Sequence, residues 1–93
     1  MSSTMIIDEF GNKIWKNENG ERHREDGPAI EWADGGKSWW SNGQYHREDG
    51  PAVEYADGGK HWFLFGKKYS EEEYYQALKE QQLGIYADPT DWI

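Results

Sequence analysis

The chain has no cysteine, which excludes a disulfide framework and any metal site built on thiolates. It also lacks a long apolar run: nothing approaches the roughly 18 residues of a membrane-spanning helix. The opening stretch, MSSTMIIDEF, has neither the basic region nor the apolar core of a secretory leader. The expectation is a soluble, cytoplasmic protein. Bases are in the minority, ten against eighteen acids, for a net charge of −8. Such a surface repels phosphate backbones, so direct binding of long nucleic acid is disfavoured and a basic protein surface is the natural partner. The imbalance is uneven. Residues 1–69 carry −3; from Ser70 onward Glu71, Glu72, Glu73, Glu80, Asp88 and Asp91 face Lys79 alone, giving −5.

Apolar residues make up only 35% of the 93, yet aromatics reach 16%. Each aromatic buries a large area, so a few can close a thin core in a chain of one-domain size. Their placement is periodic. HREDGPA occurs at His23–Ala29 and again at His46–Ala52, inside two longer units, HREDGPAIEWADGGKSW and HREDGPAVEYADGGKHW, set 23 residues apart. A degenerate copy, GNKIWKNENGERH, precedes them, and GGKHWFLFGKKY at Gly58–Tyr69 closes the series. A fixed period marks an array of supersecondary units.

Turn signals punctuate each unit. Asn42-Gly43 separates KSWW from QYH and accepts positive φ at both central positions of a hairpin turn. Asp34-Gly35-Gly36 and Asp57-Gly58-Gly59 do the same between the neighbouring strands. Strands of about five residues joined this way make an antiparallel meander. Alternation puts Val53 and Tyr55 on one side and Ala52 and Glu54 on the other. Trp15, Trp39 and Trp62 hold equivalent places, which predicts a buried tryptophan ladder paired across strands with Trp32 and Tyr55. HREDGPA then reads as a corner built on His23, Asp26, Gly27 and Pro28, and on His46, Asp49, Gly50 and Pro51. Glycine gives free backbone angles, proline fixes φ and withholds a donor, Asp49 accepts spare backbone N–H groups, and Arg47 pairs with Glu48 or a carboxylate of the next unit.

This pattern, with N-G-x-x-H after an aromatic strand and D-G before the next, resembles the MORN repeat over about Gly11 to Glu73. It departs where that repeat usually carries H-G-x-G and this chain has H-R-E-D-G-P-A. The variant spelling is similar to a group of small tandem-repeat proteins common in bacteriophage genomes. The resemblance implies stacked β-hairpins and carries over no catalytic residue; the membrane association of some MORN proteins fits poorly with an acidic surface.

Ser70-Glu71-Glu72-Glu73 is a capping box, serine at the N-cap and glutamate three residues on. A helix is expected from Glu71 to about Leu83 and a stop at Gly84, docking through Tyr74, Leu78 and either Tyr75 or Ala77. The organisation is thus one mainly β domain: a repeat region at 1–69, with units at about 11–34, 35–57 and 58–69, and at 70–93 a capping helix with an acidic-aromatic tail.

Chemistry is thinly signalled. His23, Glu25 and Asp26, repeated as His46, Glu48 and Asp49, are metal-ligand types, but their spacing matches no known loop, and no metal or other cofactor is expected. The serines sit at strands, turns, a terminus or a cap, and a flat meander leaves little room for a catalytic cleft. Gly-Gly-Lys at 35–37 and 58–60 lacks the helix N-terminus of a phosphate loop. Trp40, Trp92 or Tyr45, if exposed, would stack on a small nucleotide. The reading these features favour is a non-enzymatic binding protein. Its acids Glu71, Glu72, Glu73, Asp88 and Asp91, with Trp92, would grip a basic surface of a host protein. If the phage resemblance holds, it would inhibit a host or defence factor by mimicking nucleic-acid phosphates. Unpaired sheet edges leave a homodimer open.

Overall fold

The computed structural model describes residues 3–82; Leu83, Gly84 and the tail, with Asp88, Asp91 and Trp92, lie outside the described residues. Nine short strands precede one helix: β1 (Thr4–Ile7), β2 (Lys13–Lys16), β3 (Ile30–Glu31), β4 (Lys37–Ser38), β5 (Trp40–Ser41), β6 (Gln44–Tyr45), β7 (Val53–Glu54), β8 (Lys60–Leu64), β9 (Lys67–Tyr69) and α1 (Glu71–Gln82). Seven form one antiparallel sheet in the order β1-β2-β3-β4-β7-β8-β9, and β5 and β6 form a hairpin of their own. The molecule is mainly β, a hairpin meander closed by a helix.

The turns follow the glycines. Asn42 (φ 49°) and Gly43 (φ 85°) link β5 to β6 with both central residues left-handed. The Asp-Gly-Gly segments make a wider turn. Trp32 N–H donates to the Gly36 carbonyl, Gly35 N–H to the Trp32 carbonyl, and the Asp34 carboxylate accepts the Gly36 N–H at 2.9 Å. Tyr55 to Gly59 repeats it bond for bond. Asp8 to Asn12 and Asn17 to Glu21 form the same backbone loop, with spellings that share only the left-handed glycine, Gly11 or Gly20.

Two expectations about the aromatics are corrected. Trp15, Trp39 and Trp62 are half-buried, not buried, because a single sheet leaves one face of each ring to be covered by something else. They are not paired with Trp32 and Tyr55 either. In the observed register Ile30 faces Ser38 and Val53 faces His61, so Trp32 and Tyr55 fall opposite Gly36 and Gly59. A Cβ on Gly36 would lie 3.2 Å from the Trp32 ring, and one on Gly59 3.0 Å from the Tyr55 ring. Each ring covers bare backbone across the turn. The buried centre of the sheet is Ala29, Ile30, Ser38, Ala52 and Val53. A second core, Leu64, Tyr74 and Leu78, with Trp62, Tyr69 and Ala77 against it, seats α1 on β8 and β9. Ala77 completes the helix stripe and Tyr75 is exposed, which settles the alternative left open by the helical spacing.

β1 is an element that the repeat pattern did not announce. It pairs with β2 from Thr4↔Lys16 to Ile7↔Lys13 and forms one edge of the sheet.

Candidate functional site

Each HREDGPA loop begins and ends on one tryptophan. The N–H of His23 donates to the Trp15 carbonyl at 3.0 Å, and the N–H of Trp15 donates to the Ala29 carbonyl at 2.8 Å. His46, Trp39 and Ala52 repeat this at 3.1 and 2.7 Å. The seven residues are therefore the excursion between two strands that flank the same tryptophan, which is why the motif starts with His and stops at Ala.

The second residue of the motif holds the loop together. Arg47 lies over the Trp39 ring, its guanidinium carbon 3.7 Å from the centroid. Its Nε donates to Asp49 (2.8 Å), and Nη1 donates to the Pro51 carbonyl (3.0 Å) and to Glu54 (2.9 Å). Arg24 does the same with Trp15 (3.8 Å), Asp26, Pro28 and Glu31. The glycine leaves room for this packing: a Cβ at Gly50 would sit 3.1 Å from the Arg47 guanidinium carbon, and one at Gly27 3.0 Å from that of Arg24, so either arginine would have to shift by a few tenths of an ångström. Two expected pairings are thereby corrected. Asp49 accepts from the arginine and not from loop backbone, and Arg47 reaches Glu54 of the next strand while Glu48 is left to His46.

The histidines tie units together. Nδ1 of His23 accepts the Asn42 N–H, and Nδ1 of His46 accepts the Phe65 N–H, both at 3.0 Å. An acceptor at Nδ1 fixes the neutral tautomer with its proton on Nε2, which faces Glu25 at 3.6 Å and Glu48 at 3.1 Å. Phe65 takes the place of Asn42 in the last hairpin, at φ 50°, with its ring 4.2 Å from that of His46.

The two corners face one another across a groove of ≈ 810 Å³ lined by residues of both loops and by Trp39, Trp40 and Ser41. The expectation that so small a meander leaves little room for a cleft is corrected here. All the ionisable side chains on the groove wall are already paired, within their own corner or with a glutamate of the strand that follows it. Among the described residues no group of three His, Asp or Glu side chains is arranged to hold a metal. The candidate stacking residues Trp40 and Tyr45 are half-buried against each other at 4.0 Å, Tyr45 continues onto Phe63 at 4.7 Å, and Arg22 covers Trp40 at 5.1 Å.

Of the acids expected to grip a partner, Glu71, Glu72 and Glu73 share the exposed first turn of α1. Glu73 is not free: it accepts the Ser70 N–H while its own N–H donates to the Ser70 hydroxyl, both at 3.1 Å. Ser70 holds its carboxyl below the usual value, through the backbone N–H first and the hydroxyl second. Glu71 and Glu72 have no hydrogen-bond or ion-pair partner among the described residues. With Gln76 and Lys79 they border Tyr75, 47% exposed, a residue that the sequence pattern had offered to the core. On the inner side of the same helix Tyr74 is fully buried. Its hydroxyl donates to the Arg47 carbonyl and accepts the Gly50 N–H at 3.3 Å, so the helix is pinned to the second corner. Burial foremost raises the Tyr74 pKa.

Fold and site together define a small aromatic-stitched hairpin array with an acidic helical end. In comparisons with protein-family models, curated proteins and solved structures, nothing matches this chain. Among the described residues no helix is long and apolar enough to cross a membrane.

Proposed function

We propose that this chain is a MORN-like, phage-type repeat scaffold that binds a basic surface of a host protein through the outer face of α1. The observation that carries this reading is the pairing of two uncommitted carboxylates, Glu71 and Glu72, with the exposed ring of Tyr75 on one helical face. The carboxylates steer a basic partner, and the aromatic ring supplies contact area once they meet. Carboxylates grouped on a rigid helix also stand where phosphates would stand in a nucleic-acid groove, which supports inhibition of a nucleic-acid-binding host or defence factor by masking. A binding role is favoured over catalysis because the histidines and carboxylates of the corner groove are already engaged in holding the two loops. Nucleotide capture is less well supported, since Trp40 and Tyr45 spend their ring faces on each other.

The test is capture of a partner from host lysate by immobilised protein, compared with the double reversal Glu71→Lys/Glu72→Lys. Glu73 is left in place because its reversal would break the helix cap. Expected are salt-sensitive retention by the wild type, its loss in the reversed variant, and unchanged far-ultraviolet circular dichroism. Retention that survives the reversal rejects the acidic face as the contact.

A further inference from the structure

We infer that β1 is a self-pairing edge, joining the β1 of a second copy antiparallel about a two-fold axis at Ile6. Bonding directions come from β2. Trp15 uses both its N–H and its C=O on the side away from β1, toward Ala29 and His23. In an antiparallel ladder neighbouring residues point opposite ways, so β2 meets β1 through Ile14 and Lys16, opposite Ile6 and Thr4. The N–H and C=O of Met5 and Ile7 therefore point outward, and among the described residues no strand pairs with that edge.

The side chains fit the same reading. Met5, Ile6 and Ile7 are 43%, 49% and 56% exposed, with no lysine, proline or bulge in the strand, the devices that usually protect an edge. The opposite edge differs: β9 carries Lys67 and Lys68, and α1 packs beside it. With the axis at Ile6, Met5 of one copy faces Ile7 of the other, and their outward groups bond reciprocally. The apolar row Ile30–Ile14–Ile6, aligned by the register of β1, β2 and β3, then continues into the same row of the second copy.

Charge selects a second copy over the basic partner sought by α1. Residues 3–7 carry no charge, and around them Asp8 and Glu9 are balanced by Lys13 and Lys16. The uncommitted acids sit on α1, packed at the other edge of a molecule 52 Å long, several screening lengths of about 8 Å away at physiological salt. The edge is the place where two copies of an acidic chain meet with least repulsion. Pairing Met5, Ile6 and Ile7, three residues a side, is a small interface, so association is expected to be reversible and concentration-dependent.

Sedimentation velocity over a wide protein range tests this. Expected is a species of twice the chain mass that grows with concentration and persists in high salt. Ile7→Pro removes one outward N–H without touching the β1–β2 ladder, and Ile6→Lys places like charges at the axis; each should weaken association by about tenfold or more. Lys67→Glu/Lys68→Glu at the far edge should leave it unchanged. Circular dichroism and tryptophan fluorescence check the fold of each variant; should Ile7→Pro not fold, Ile6→Lys decides. A wild type that stays monomeric throughout, or association that is undiminished in a folded edge variant, overturns the inference.

Discussion

Arg47 rests on the same tryptophan whose backbone closes the loop it belongs to: its guanidinium lies 3.7 Å from the Trp39 centroid, while Trp39 bonds His46 and Ala52. One side chain thus joins the ring, Asp49, the Pro51 carbonyl and Glu54. Arg47→Ala removes all four contacts from a group that is mostly buried and leaves the Pro51 carbonyl without its donor. Charged hydrogen bonds of this kind contribute about 1.5–3 kcal/mol, and the exposure of Asp49 keeps the total near the middle, so a loss of about 2–3 kcal/mol is expected. Arg47→Lys should recover less than half, since an ammonium can neither stack flat nor fork. Urea denaturation of the two variants measures both.

Tyr74→Phe keeps the ring and removes only the hydroxyl shared by the Arg47 carbonyl and the Gly50 N–H. Gly50 is buried, so its N–H is left without a partner, at a cost of about 1–2 kcal/mol. The loss is local. Amide exchange at Gly50 and along α1 should quicken, while the β2–β3 pairing far from the helix keeps its protection.

What could be read in advance follows from how local each cause is. The Asn42-Gly43 turn, the Ser70–Glu73 capping box and the antiparallel order rest on neighbours in the chain, and the structure bears them out. The corner was legible as a corner, but its partners were not. Arg47 meets Glu54 across seven positions and Trp39 across a folded-back strand, and no period encodes which carboxylate an arginine finds. β1 escaped because Thr-Met-Ile-Ile has no alternation and lies outside the repeat. Trp32 misled because an equivalent place in the repeat does not give the strand register, which sets Trp32 opposite Gly36 across the turn.

Acid should loosen the helix cap before the sheet. Both Glu73 and Asp8 have folded pKa values below their ordinary 4.5 and 3.8, Glu73 through Ser70 and Asp8 through the Asn12 side-chain amide foremost. A depressed carboxylate contributes stability that is present above its unfolded value and lost as pH falls through the folded one. Helical ellipticity should therefore decline as the pH drops below about 4.5, the ordinary Glu73 value, and the Ser70 amide resonance should titrate with it. Glu73→Gln, which cannot ionise, should remove that step from the Ser70 titration.

Phe65 sits where its counterpart is asparagine, and the two backbones are almost superimposable in φ, 50° against 49°. Asparagine tolerates this left-handed conformation; a phenylalanine Cβ does not, at a cost of about 1–2 kcal/mol. Against that stands the contact of its ring with His46 at 4.2 Å, a tilted pair of aromatics that contributes about 0.5–1.5 kcal/mol. With the ring 60% exposed the contact belongs at the low end of that range, so strain wins. Phe65→Asn should stabilise the fold by about 0.5–1 kcal/mol in thermal or urea unfolding. The backbone N–H at that position would still reach His46, as the Asn42 N–H reaches His23. A destabilised variant would show instead that the phenyl–imidazole contact outweighs the strained backbone, and that the last hairpin is held by its ring and not by its turn.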